Sequence, residues 1–133
     1  MKTNTNPQPV VWWILWAAFQ IGIVIFYQFL GGPGGRAEQP GSDSSAWLAG
    51  FVPFLLSAAN RWLVLPRIKA VQQALAGFVV GIALAEACCF LGLFIFPAHK
   101  LELFVISFIG IFQYMPFFAG RYNQSGDQVS PVR

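Results

Sequence analysis

The sequence predicts an all-α polytopic membrane protein, a bundle of four transmembrane helices at about 10–30, 46–65, 70–96 and 101–120. Three observations predict it. Of 133 residues, 56% are hydrophobic and 10% charged, with a mean hydropathy of +0.60. A chain this short leaves much of its surface in contact with solvent. The apolar excess is therefore matched to lipid. The apolar residues also gather into four runs, each close to the ~20 residues a helix needs to cross the hydrocarbon core. None of the runs shows the alternation of barrel strands, and only helices or closed barrels satisfy their backbone in lipid.

The first run, VVWWILWAAFQIGIVIFYQFL, follows one early lysine. It exceeds the ~7–15 apolar residues of a secretion signal, and no small-x-small cleavage site precedes GGPGG. It is read as a retained helix. The segment GGPGGRAEQPGSDSS (31–45) is rich in Gly, Pro and Ser and reads as a flexible extracytoplasmic loop. No strand precedes its glycines and no Gly-Lys-Ser/Thr follows, so it is not a phosphate-binding loop. PRIK (66–69) and PAHK (97–100) read as tight turns, making the last three helices consecutive antiparallel hairpins. The tails, 1–9 and 123–133, are polar and read as flexible. The whole of 1–133 is one domain. Pro53 and Pro116 are expected to loosen or kink their helices, freeing carbonyls near Ala49 and Phe112.

With four crossings, both tails and the 66–69 turn share one side. That side carries Lys2, Arg61, Arg67, Lys69, Arg121 and Arg133, against Arg36 and Lys100 on the other. The six-to-two split predicts that both termini are cytoplasmic. The expected localisation is multi-pass, in a bacterial inner membrane. Trp12, Trp13, Trp62 and Tyr122 then fall at the inner interface, and Tyr27 and Trp47 at the outer one.

Several function classes are excluded by composition. The net charge is +3, but the basic residues flank apolar runs instead of forming a patch, which argues against nucleic-acid binding. The lone His99 sits at a helix boundary, so paired-histidine haem ligation within the bundle is excluded. No His, Cys and carboxylate cluster has metal-ligand spacing. Cys88 and Cys89 read as small packing residues. Ser57 and Ser107 lack a nearby base, so no catalytic residue, cofactor or enzymatic activity is predicted.

Two features remain on the third helix. Ala70, Ala74, Gly77, Gly81, Ala85, Cys88 and Gly92 follow one another at spacings of four or three, a small-residue packing stripe. It serves contacts within the chain, self-association, or a membrane-protein partner. Glu86, beside that stripe, lies on the order of 20 Å along the helix from Lys69. Lipid disfavours the charged form of a carboxyl, so Glu86 is expected to be protonated. Gln20, Ser57, Ser107 and Gln113 lie in the same central zone. Gln20 and Ser57 are the expected hydrogen-bond partners of Glu86, in preference to Arg61 near the cytoplasmic end.

Residues 66–96, and within them Gly81, Ala83, Leu84, Ala85, Glu86, Ala87, Gly92 and Leu93, resemble the turn and ion-binding helix of rotary ATP synthase c subunits (proteolipids). The resemblance implies that Glu86 binds a proton or sodium ion and that the preceding turn is cytoplasmic. The helix before that turn carries bulky Phe51, Phe54, Leu55 and Trp62 where the family is densely glycine-rich, and two further helices flank the hairpin. The reading of the residues is thus a small non-enzymatic scaffold or accessory subunit with Glu86 as an internal polar fastener. The alternative is a proton- or sodium-coupled membrane component.

Overall fold

The computed structural model describes residues 9–31 and 45–119. The expected flexible tails and nearly all of the 31–45 loop lie outside the described residues, as does Tyr122. The chain is a bundle of four helical spans, all long and apolar enough to cross a membrane, with no strand among the described residues. The spans are Pro9–Leu30, Ser45–Arg67, Val71–Phe94 and Pro97–Phe118.

The first span is a single α-helix, α1 (Pro9–Leu30). The second is a continuous helical rod with changing pitch. It opens as a 3-10 helix (Ser45–Phe51), continues as α2 (Val52–Ala59), widens to a π-helix (Asn60–Val64) and closes as a 3-10 turn (Leu65–Arg67). Pro53 stands in the first turn of α2, where a missing N–H costs no helical bond, and so marks the junction with the 3-10 segment. Pro66 follows the wide turn, in which the Leu65 N–H bonds to the Asn60 carbonyl.

The third span is α3 (Val71–Phe94). It stops short of the expected residue 96 because Pro97 biases Phe96 away from helical geometry, and Phe96 takes φ −121°, ψ 61°. Pro97 instead opens the fourth span, in a 3-10 turn leading to α4 (Lys100–Phe112). Pro116 does more than kink this span. Met115 turns extended at φ −48°, ψ 124°, and the α-helix ends at Phe112, followed by a short 3-10 helix, Pro116–Phe118.

Contacts set the packing order. Trp12 meets Phe78 and Phe26 meets Phe90, so α1 runs parallel to α3. Gly92 lies on Leu103, and Ala85 on Gly110, so α4 runs antiparallel to α3. The buried residues concentrate on α3, which packs against all three other spans. Its central position is a matter of shape. Between lipid-immersed helices burial supplies little hydrophobic drive, and dispersion contacts and hydrogen bonds take over. The outward side chains, Ile14, Ile21, Phe29, Leu55, Trp62, Ile109 and Phe117 among them, suit acyl chains.

Aromatic residues sort to the two ends. Trp12 and Trp13 meet Phe118 and Phe117 at one end. At the other, Tyr27 stacks on Phe104 and Trp47 on His99.

Candidate functional site

The small-residue stripe is occupied from within the chain. A Cβ added to Gly92 would lie 2.9 Å from Leu103 Cβ, and one added to Gly110 2.8 Å from the Ala85 Cβ, so α3 and α4 touch nearly backbone to backbone. Gly77 faces Leu65 and Ile68, while Ala74, Gly81, Ala85, Cys88 and Gly92 are buried.

Where the second span crosses the stripe, the side chains are polar. Ser57 Oγ donates to the Gly81 carbonyl (2.7 Å), and Asn60 Nδ2 donates to the Gly77 carbonyl (2.7 Å). The Tyr114 hydroxyl donates to the Ser57 carbonyl (2.6 Å) and accepts from Asn60 Nδ2 (3.1 Å). Three spans are thus joined through one fully buried phenol. A bare Cα is required at Gly81, where a Cβ would fall on the Tyr114 hydroxyl and 2.5 Å from Asn60 Nδ2, whereas at Gly77 a Cβ would meet only the side-chain ends of Leu65 and Ile68.

One turn further along, the chain repairs the break before Pro116. Residues 111–113 lose regular α partners there; the Ile111 and Phe112 carbonyls take shorter-range bonds from the Tyr114 and Met115 N–H groups, and in lipid the remaining acceptor capacity calls for donors from other spans. Trp16 Nε1 donates to the Ile111 carbonyl (3.0 Å) and Arg61 Nε to the Gln113 carbonyl (3.1 Å). The Arg61 guanidinium also lies over the Phe118 ring, 4.4 Å from its centroid, and 5.3 Å from that of Trp62. The π turn carries both Asn60 and Arg61, so the wide segment delivers two adjacent polar side chains toward the same neighbour.

Glu86 lies elsewhere. It is half-buried on α3, between the buried positions Ala85 and Cys88. Among the described residues it makes no hydrogen bond or ion pair. The Trp12–Phe78 and Phe26–Phe90 contacts bracket it, and the same two contacts bracket Gln20 on α1, so the two residues stand at one level of packed helices. Both polar atoms of the Gln20 carboxamide are buried without a partner, as are Ser107 Oγ and Gln113 Nε2. Ser57, the other expected partner, is committed to Gly81. Cys88 and Cys89 are buried free thiols.

The carbonyl-directed network of Asn60, Arg61, Tyr114 and Trp16 was not read from the sequence. One signal for part of it exists: Ser57 and Asn60, three apart, face Gly77 and Gly81, four apart, on the next helix. Among the described residues no group of His, Cys, Asp and Glu is placed to hold a metal ion. No protein-family model matches the chain, and neither a curated protein nor a solved structure resembles it significantly.

Proposed function

We propose that this chain is a non-enzymatic scaffold or accessory subunit of a bacterial inner membrane, with both termini cytoplasmic, in which protonated Glu86 fastens α3 to α1 through Gln20. The observation that carries the reading is the buried, unpartnered Gln20 carboxamide at the level of Glu86. A neutral carboxyl and a carboxamide each offer a donor and an acceptor, so the two groups are complementary. The rest of the polar interior supports a structural role as well. Ser57, Asn60, Arg61, Tyr114 and Trp16 spend donors on carbonyls of neighbouring helices, which holds spans together, and among the described residues none of these groups is a nucleophile set beside a base.

The partner fitting this reading is another protein of the same bilayer. It meets the lipid-facing sides of the bundle, since the α3 stripe is already covered. Orientation rests on the six-to-two distribution of basic residues.

Co-purification from native membranes in mild detergent tests the subunit reading, and a chain recovered only as a lone monomer counts against it. Substitution tests the fastener. Glu86→Gln retains hydrogen bonding and is expected to leave folding and co-purification intact, whereas Glu86→Leu weakens the α1–α3 contact by about 0.6–1.7 kcal/mol. A pH-dependent reaction of Glu86 with a hydrophobic carbodiimide, slowed by sodium, would sink the fastener and favour the ion-coupled alternative.

A further inference from the structure

At the end of the bundle away from Trp12 and Phe118, the start of the second span rests on the fourth through one titratable ring. Trp47 stacks on His99 with 4.4 Å between ring centroids and 20° between the ring planes. Trp47 also leans on Phe51 at 5.3 Å, so it is braced from within its own 3-10 segment, Ser45–Phe51.

The local chain fixes the imidazole in place. Pro97 opens a 3-10 turn, the His99 N–H donates to the Phe96 carbonyl (2.9 Å), and His99 stands at the N-cap of α4. Glu102 then falls in the first turn of α4, where the helix dipole favours a carboxylate. Its Oε1 lies 3.8 Å from His99 Nδ1. Gly50 gives the same segment a second attachment that no proton alters, since it is buried and a Cβ there would lie 2.9 Å from Leu103 Cδ2.

Both neighbours of the ring prefer its charged form. An imidazolium is attracted by the carboxylate and by the indole π face, and a neutral imidazole gains neither attraction. Histidine is also the side chain whose charge ordinarily changes between about pH 5 and pH 8. No other described group duplicates the effect. Ser45–Phe51 and the end of α3, residues 92–96, carry no titratable side chain. At this end of α1, Tyr27 is stacked on Phe104. Lys100, next along the chain, is the like charge that Glu102 offsets. Arg36, Glu38 and Asp43 lie outside the described residues.

We propose that His99 is a proton-operated latch between the second span and α4. With the ring protonated, Trp47 and Glu102 both hold it, and the start of the second span is fastened. As pH rises and the ring loses its proton, the stack keeps only its apolar contact. The segment then lifts more often, with Gly50 still seated on Leu103. The inference uses none of the groups around Glu86 and holds whichever way the chain crosses the membrane.

The test is hydrogen exchange of the full chain in lipid nanodiscs at about pH 5.5 and about pH 8, corrected for the intrinsic pH dependence of amide exchange. The opening constant over Ser45–Phe51 is expected to rise by a factor of about 3–10 toward the higher pH, with α3 unchanged. Equal opening constants at the two pH values overturn the proposal, and this comparison needs no variant. His99→Phe keeps an aromatic ring against Trp47 and removes the proton, so its opening constant is expected to be the same at both pH values. A pH dependence that survives in His99→Phe overturns the proposal, since it then belongs to another group such as Asp43. A rise spread equally over α3 also overturns it, since the whole bundle is then responding.

Discussion

Gly81→Ala is the sharpest perturbation this fold offers. A methyl at Gly81 would land on the Tyr114 hydroxyl and its ring carbon, and 2.5 Å from Asn60 Nδ2. Tyr114 has no free rotation with which to yield. It is fully buried, lies against Phe78 at 5.9 Å between centroids, and is bonded to both Ser57 and Asn60. The methyl must therefore separate the spans or expel the phenol, and either outcome breaks three linked bonds: Tyr114 to Ser57, Asn60 to Tyr114, and Ser57 to Gly81. At about 0.6 kcal/mol for each interhelical bond, their loss costs about 2 kcal/mol. Overpacking adds about 1–3 kcal/mol. The sum is a destabilisation of about 3–5 kcal/mol.

Two other glycines serve as controls. Gly77→Ala meets only the ends of flexible side chains, Leu65 Cδ1 at 3.1 Å and Ile68 Cδ1 at 3.5 Å, and should cost less than about 1 kcal/mol. Gly22→Ala meets nothing within 4 Å and should change stability by less than about 0.5 kcal/mol. Reversible unfolding in bicelles by steric trapping measures all three. If Gly81→Ala clusters with the two controls, the close approach at Gly81 is not what joins these spans.

Three further outcomes follow from other contacts. Arg61→Met removes the donor to the Gln113 carbonyl and the cation over Phe118, and should cost about 1–3 kcal/mol, with faster hydrogen exchange confined to the end of the fourth span. Uniformly unchanged exchange there would count against the repair of the break. Trp47→Ala removes the ring stacked 4.4 Å from His99 and should raise exchange over Ser45–Phe51 by at least a few-fold, leaving α3 unaffected. A topology reporter placed in the 31–45 loop should be active only outside the cytoplasm; cytoplasmic activity would reverse the orientation drawn from the basic residues.

Different parts of this structure were legible in the sequence for different reasons. The four spans were legible because length and hydropathy are properties of a segment by itself, and α1 ends at Leu30 as the pattern required. Pro116 announced a disturbance, but its consequence depended on neighbours. A kink becomes a full break when Trp16 and Arg61 arrive from two other spans to take the freed carbonyls. The stripe from Gly77 to Gly92 revealed that something approaches α3 closely, and only the packing shows that α2 and α4 already do so. Depth alone nominated both Gln20 and Ser57 as partners for Glu86. Depth fixes height along the membrane normal and leaves rotation about the helix axis open. Rotation commits Ser57 to Gly81, while the Gln20 carboxamide is buried without a partner among the described residues. Tyr114 was hidden for a similar reason, since an aromatic near a helix end reads as an interfacial residue until its hydroxyl is seen bonding inward.

The repair of the fourth span also bears on how the chain is made. Its broken end relies on an indole from α1 and a guanidinium from the second span. Both donors lie earlier in the chain and leave the ribosome first. When the segment around Pro116 enters the bilayer, the groups that satisfy it are already there. A chain rearranged so that the fourth span is synthesised first would leave the Gln113 carbonyl without its Arg61 donor, and the Ile111 carbonyl with the Tyr114 N–H but not the Trp16 indole, until the others arrived. The order of the helices is therefore part of what makes the break tolerable.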